Sequence, residues 1–272
     1  MSTPVPFSRV SVPALRKKKG AEKIVTLTAY TAPVARAADA QADILLVGDS
    51  LGMVLYGLPS TLPVKLSDMI RHGAAVVRAS ERAMVVVDMP FGSYQASPQQ
   101  AFRSAARVMQ HTGCSAVKLE GGAEMAPTVR FLSERAIPVM AHIGLKPQYV
   151  HTLGGYRYQG RTPEEADALL ADAQALQEAG AFAVVLECVE TSAARRITEA
   201  LAIPTIGIGA GSACDGQVLV SEDLLGMTSV APRFVKAYAA MNTMMEEAFA
   251  AYAQDVRTGG FPASEHGFTK AS

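Results

Sequence analysis

The stretch "DILLVGDSLGM", residues 43–53, decides how the rest of the chain is read. Ile44–Val47 is a run of four apolar residues without polar alternation, the pattern of a strand covered on both faces. It stops on Gly48-Asp49-Ser50, a carboxylate and a hydroxyl at the tip of a buried segment. Either this is loop chemistry of no consequence, or it is one part of a rim to which other strands contribute. The choice depends on how the other apolar runs end.

Similar runs recur along the chain. Besides Ile44–Val47 they are Ile24–Thr28, Met84–Asp88, Ala116–Glu120, residues 138–143, Ala183–Glu187, Thr205–Ile208 and residues 218–220. Amphipathic segments lie between them, and two carry clear start signals. Ser97-Pro98-Gln99-Gln100 offers an N-cap, a first-turn proline and a capping-box glutamine, and Thr162-Pro163-Glu164-Glu165 repeats the device. Gly180 supplies the second helix with a stop. Eight strand–helix alternations in about 250 residues predict a (β/α)8 barrel, with a doubly wound open sheet as the other topology the periodicity allows. No linker or low-complexity tract divides residues 1–272, which read as a single barrel domain.

Two segments break the rhythm. The connection "GLKPQYVHTLGGYRYQGR" is long and rich in Gly, Tyr and Arg, as functional or mobile loops are. Near the end, Phe234, Tyr238, Met241, Met245, Phe249 and Tyr252 fall three or four apart and predict a C-terminal helix whose stripe is core or a subunit contact.

Composition excludes several classes. The chain has 272 residues, 49% of them apolar, with 25 basic and 25 acidic side chains. A neutral balance argues against a nucleic-acid binder. No apolar run reaches the roughly 18 residues of a membrane span. Cys114, Cys188 and Cys214 form no CxxC and fit a reducing cytosol rather than a disulfide frame. The basic start, with Arg9, Arg16, Lys17, Lys18 and Lys19, reads as a short helix stopped by Gly20 in preference to a transit peptide.

In a barrel, chemistry gathers at the carboxyl ends of the strands. Here the second run ends in Asp49 and Ser50, the third in Asp88, the fourth in Lys118-Leu119-Glu120 and the sixth in Glu187, while the fifth runs into His142. Taken singly, each acid reads equally well as a helix cap or a solvated loop residue. Together, carboxylates converging on one rim raise one another's pKa unless a cation is present. Oxygen donors without a His or Cys cluster suit a hard cation, Mg²⁺ before Zn²⁺. Lys118 adds a point charge suited to a substrate carboxylate, and Glu187, farther around the rim, is left free as a base. A metal that polarises a carbonyl beside a positioned carboxylate makes an enolate. "GIGAG", residues 207–211, could cradle a phosphate or let a neighbouring segment approach closely, but it lacks a Walker lysine. His142 faces either ligand or core. Cys188 has no evident base.

These stretches, with "TLTAY", "STLPVKLSDMIRH", "HIGLKPQ", "GGYRYQGR", "DGQVLV" and "PRFVKAY" in order along nearly the whole chain, resemble the ketopantoate hydroxymethyltransferase family. The resemblance implies a barrel of the phosphoenolpyruvate-mutase/isocitrate-lyase group, a cytoplasmic homodecamer and Mg²⁺ or a similar divalent ion. It implies transfer of a hydroxymethyl group from 5,10-methylenetetrahydrofolate to α-ketoisovalerate, giving ketopantoate for pantothenate and coenzyme A synthesis. Carried over by position, Asp49 and Asp88 hold the metal and the substrate with it, and Glu120 completes the site. Ser50 and Lys118 hold the oxoacid, and Glu187 is the base. The family pattern Thr-Ala-Tyr-Asp becomes Tyr30-Thr31 here, where Thr31 can replace the acid as an N-cap. Two rivals remain. A carbon–carbon lyase or mutase of the same group is disfavoured because the loop after the fifth run has no cysteine. A non-catalytic binding barrel leaves the acidic rim unexplained.

Overall fold

The eight apolar runs form eight parallel strands that pair in chain order and close on themselves, β1 against β8. A computed structural model describes residues 9–228 and 230–268. The strands are β1 Ile24–Thr28, β2 Ile44–Val47, β3 Met84–Asp88, β4 Ala116–Glu120, β5 Val139–Gly144, β6 Ala183–Glu187, β7 Thr205–Ile208 and β8 Gly216–Leu219. Closure decides for the barrel over the open sheet. The chain divides after Ser221 into two compact units, Met1–Ser221, which carries the barrel, and Glu222–Ser272.

Two strands differ from the sequence reading at their ends, for identifiable reasons. Pro138 has no N–H to give the sheet; its carbonyl accepts from the Val117 N–H at 3.1 Å, and β5 begins one residue later. Gly216 falls outside the expected run 218–220 but lies in β8, opposite Ile24. A Cβ there would come within 2.5 Å of the Ile24 carbonyl oxygen, so glycine is what lets the closing strand approach.

Alternation sorts side chains to the two faces of the barrel. Ile44, Leu46, Met84, Val86, Ala116, Met140, Ala183, Val185, Ile206 and Val218 form one buried cluster, the interior. A larger cluster, including Leu45, Val47, Val85, Val87, Val117, Leu119, Val139, Ala141, Val184 and Leu186, lies between sheet and helices. Position-two periodicity then continues the interior rows upward: Met84-Val86 to Asp88, Ala116 to Lys118 and Glu120, Met140 to His142, Val185 to Glu187. The same pleat that fills the barrel with apolar side chains delivers five polar ones to its carboxyl end.

The opposite end is stoppered. Helix Val12–Lys17 starts at Ser11, whose hydroxyl accepts from the Ala14 N–H, and places Leu15, 1% exposed, in the interior cluster. Its lysines tie it down: Lys18 pairs with Asp43 at 2.9 Å, and Lys19 with Asp215 at 2.8 Å. The basic start is thus a folded plug of the barrel unit.

Both signalled helices begin where expected, at Pro98 and Pro163, with Ser97 and Thr162 accepting from Gln100 and Glu165 N–H groups. Gln100 and Glu165 reach back one residue beyond the cap, to the Ala96 and Arg161 N–H groups. Thr31 occupies the N-cap of helix Ala32–Asp39, but its side chain makes no capping bond, so it does not replace the family's acid in that way. In the second unit, helix Met241–Thr258 contains Met241, Met245, Phe249 and Tyr252, whereas Phe234 and Tyr238 precede it. No residue of that helix is buried, and Phe249 and Tyr252 are exposed.

Candidate active site

Asp49, Asp88, Lys118, Glu120 and His142 are each at most 5% exposed, although all five side chains are ionisable. The arrangement begins at Gly48, the last interior position of the β2 row. A Cβ there would meet the Ser50 hydroxyl at 2.8 Å and Asp88 Oδ2 at 3.5 Å, so glycine opens the space into which the chain turns. Beyond it the Asp49 N–H donates to Asp88 Oδ2 at 3.0 Å, joining the ends of β2 and β3. Ser50 caps no helix with its side chain; its hydroxyl lies 2.8 Å from the buried Tyr30 hydroxyl.

The Lys118 ammonium lies 2.9 Å from Asp88 Oδ1 and 3.3 Å from His142 Nδ1. Its ion-pair partner is therefore Asp88, not Glu120. Ammonium has no lone pair to offer, so His142 Nδ1 is the acceptor and Nε2 carries the ring proton. Nε2 faces Glu187 Oε2 at 3.3 Å. Glu187 retains 21% side-chain exposure and is the most accessible of the four acids. Glu120 Oε2 accepts from the Gln148 backbone N–H at 3.0 Å, and its Oε1 is 3.7 Å from His142 Nδ1.

Three buried carboxylates face one ammonium, and the titration behaviour follows. Burial, then Asp88, pushes Asp49 up to about 7, against the pull of Lys118 and a Gln148 hydrogen bond. Burial, then Asp49, raises Glu120 well above the ordinary carboxylate range. Burial opposes the Lys118 charge, but Asp88, then Glu120 and Asp49, outweigh it and hold the ammonium firmly protonated. Burial and Lys118 lower His142, which fits the neutral tautomer. The Cys188 thiol is pushed up to about 12 by burial and by Glu187, so it stays protonated and is no nucleophile.

The donors fit a hard divalent ion. Asp88 Oδ1 is buried and accepts no well-directed hydrogen bond, and Asp49 and Asp88 stand side by side. Among the described residues no three acidic, His or Cys side chains form a ready cage. Mg²⁺ does not need one, since it keeps several waters and takes one or two carboxylates. Gln148 joins Glu120 to that pair, its backbone N–H on Glu120 Oε2 and its amide nitrogen on Asp49 Oδ2.

The loop residues Tyr94, Gln95 and Gln148 were not legible as site residues. Gln148 lies in the first turn after β5, Pro147–Tyr149, and is 5% exposed. Its sequence signal was only the length of the loop that carries it. The "GIGAG" turn serves neighbouring segments, with the Gln217 amide donating to the Gly211 carbonyl at 2.9 Å.

This closed eight-stranded parallel barrel is similar in fold to solved members of the phosphoenolpyruvate-mutase/isocitrate-lyase superfamily. Its fold matches 2,3-dimethylmalate lyase, a member of that superfamily, with a TM-score of 0.58 at 17% identity over 95% of this chain and 92% of that one. It also matches phosphonopyruvate hydrolase in complex with oxalate and Mg²⁺, with a TM-score of 0.60 at 13% identity over 95% and 92%. The chain belongs to the ketopantoate hydroxymethyltransferase family, whose profile matches residues 9–264. It is 62% identical to 3-methyl-2-oxobutanoate hydroxymethyltransferase of Bordetella petrii over 269 residues, 98% of each chain. Against the enzyme of that name from Paracoccus denitrificans it is 60% identical over 255 residues, 93% of this chain and 92% of the relative.

Proposed function

We infer that this enzyme transfers a hydroxymethyl group to 3-methyl-2-oxobutanoate, giving ketopantoate for pantothenate biosynthesis. The observation that carries the reading is the 62% identity over nearly the full length of a relative bearing that name. The proposed donor is 5,10-methylenetetrahydrofolate, and the proposed ion is Mg²⁺ or a similar divalent cation.

Asp49 and Asp88 are the residues that would hold the ion, with Glu120, joined to Asp49 through Gln148, completing the site. The chemistry such an ion supplies when bound is polarisation of the substrate's keto oxygen, which acidifies the neighbouring C–H. Its fold relative phosphonopyruvate hydrolase has been seen with oxalate and Mg²⁺, which supports an oxygen-donor site of this kind. Lys118 meets the oxoacid carboxylate with a fixed positive charge, and the Ser50 hydroxyl, steadied by Tyr30, orients it. Glu187 takes the proton from C3. Nε2 of neutral His142 lies 3.3 Å from the same carboxylate, beside it but without a well-directed hydrogen bond. The carbon nucleophile bonds to the one-carbon unit and a water oxygen becomes its hydroxyl, while both bonds from that carbon to the folate nitrogens break; the C3 proton and a water proton end on those nitrogens, and tetrahydrofolate leaves.

The exposed aromatic side chains of helix Met241–Thr258 support a subunit contact, in keeping with the proposed homodecamer. No described helix is long and apolar enough to cross a membrane, and a cytoplasmic location is proposed with the biosynthetic role. The test is direct. The purified chain with oxoacid, methylenetetrahydrofolate and Mg²⁺ should form ketopantoate, and a chelator should stop it until Mg²⁺ is returned. Turnover of the oxoacid to a different product, or none with metal supplied, would overturn the assignment.

A further inference from the structure

Gln148 makes more site contacts than any residue proposed to do chemistry. Its amide nitrogen donates to Asp49 Oδ2 at 2.9 Å and to the Met89 carbonyl at 3.0 Å. Its amide oxygen accepts from the Tyr94 hydroxyl at 2.7 Å and from the Gln95 amide at 3.1 Å. Its backbone N–H donates to Glu120 Oε2 at 3.0 Å. The amide is therefore fully used, and its orientation is determined, because a carbonyl such as Met89's only accepts and so faces the nitrogen. Tyr94 is fixed in turn: the Glu120 N–H donates to its oxygen at 3.1 Å, and burial then Glu120 raise its pKa, so it keeps the proton it donates.

We propose that Gln148 is a positioning residue that ties off one oxygen of Asp49 and one of Glu120, and so decides which oxygens are left for the ion and the substrate. With Asp49 Oδ2 on the Gln148 amide and Asp88 Oδ2 on the Asp49 N–H, the oxygens left over are the two Oδ1 atoms. Asp88 Oδ1, buried, lies beside the Lys118 ammonium and takes no well-directed hydrogen bond. Each aspartate therefore presents a single oxygen, as suits an ion that keeps its waters. Met89, Tyr94 and Glu120 come from the ends of β3 and β4, and Gln148 from the turn after β5. One amide thus sets three strand ends against the tip of β2. The inference rests on the proposal that Asp49 and Asp88 hold the ion.

The test uses the whole chain and Mn²⁺ as the probe, its binding read by paramagnetic relaxation of water. Gln148→Met keeps length and removes both donors. The Kd for Mn²⁺ should rise about 10–100-fold, the usual cost of removing a partner that orients a metal ligand. The Mg²⁺ concentration for half-maximal rate should rise in step, and excess Mg²⁺ should restore a large part of the turnover. Tyr94→Phe, which leaves the amide in place but frees its oxygen, should shift the Mn²⁺ affinity in the same direction by up to about tenfold. Wild-type Mn²⁺ affinity in Gln148→Met overturns the proposal, as does a rate loss that no concentration of Mg²⁺ relieves. If Gln148→Met does not fold, wild-type affinity in Tyr94→Phe overturns it instead. Asp49→Asn separates the two layers. If it too binds Mn²⁺ like the wild type, the ion site itself is misplaced; if it weakens binding while Gln148→Met does not, only the positioning role is lost.

Discussion

Lys118 lies between two duties, and magnitudes show which it serves. At about 3 Å and an effective dielectric of about 20, an ion pair such as Lys118–Asp88 gains on the order of 5 kcal/mol. Desolvating each partner costs several kcal/mol, so the pair is close to neutral as a source of stability. Breaking it by removing one partner leaves a buried charge and costs about 3–5 kcal/mol. A group so placed is better explained by what it presents to a ligand. Lys118→Met should therefore raise the KM for the oxoacid by a factor of about ten or more, with a much smaller change in the KM for the folate. It should also lower the unfolding midpoint. Equal rises in both KM values would give Lys118 a purely structural role. At this scale the sequence was informative wherever the strand pleat carried the information. Asp88, Lys118, Glu120, His142 and Glu187 share the inward parity of their strands, so their convergence follows from counting by two. Gln148, Tyr94 and Tyr30 were opaque because loop geometry and a long side chain, neither periodic, bring them to the site. The pairing of Lys118 with Asp88 instead of Glu120 is a matter of rotamers that spacing does not reveal.

At the scale of elements, most strand limits follow from apolar runs, and the exceptions come from residues whose meaning depends on partners. The apolar runs take in Pro138 and leave out Gly216, yet the first is excluded from its strand and the second is required in it. The turn before β3 shows how a helix end is used for support. Asp39, the last residue of helix Ala32–Asp39, accepts from the Glu81, Arg82 and Ala83 N–H groups at 2.8–3.2 Å. Burial works against the carboxylate, but these N–H groups outweigh it and lower its pKa. A lowered folded-state pKa means stability that is fully present above the unfolded carboxylate value, about 3.9, and lost as the pH falls through the folded value. Asp39→Ala should cost about 1 kcal/mol at neutral pH, because water can replace the carboxylate at the exposed Glu81 and Arg82 N–H groups but less readily at Ala83. The gap to the wild type should narrow below about pH 4. Thermal melts at a series of pH values check this, and a gap that stays constant into acid would remove the carboxylate from the account.

For the molecule as a whole, the barrel unit keeps three kinds of filling in one tube: a leucine-bearing plug at the amino end, apolar layers in the middle, and an acidic layer at the carboxyl end. The central claim is that this last layer makes a carbon acid of the oxoacid and that Glu187 removes its proton. Deprotonation needs the ion, the ketone and the base, but not the one-carbon donor. The most direct measurement is hydrogen exchange at C3 of 3-methyl-2-oxobutanoate in D₂O with Mg²⁺, in the absence of folate and again with a non-reactive folate analogue that can close the site. The wild-type enzyme should wash deuterium into C3 under at least one of these conditions. Glu187→Gln should bind ion and oxoacid yet lose the exchange, because an amide cannot accept the proton at a useful rate. Exchange that survives in Glu187→Gln, or wild-type enzyme that remains silent even with the analogue bound, would contradict the account.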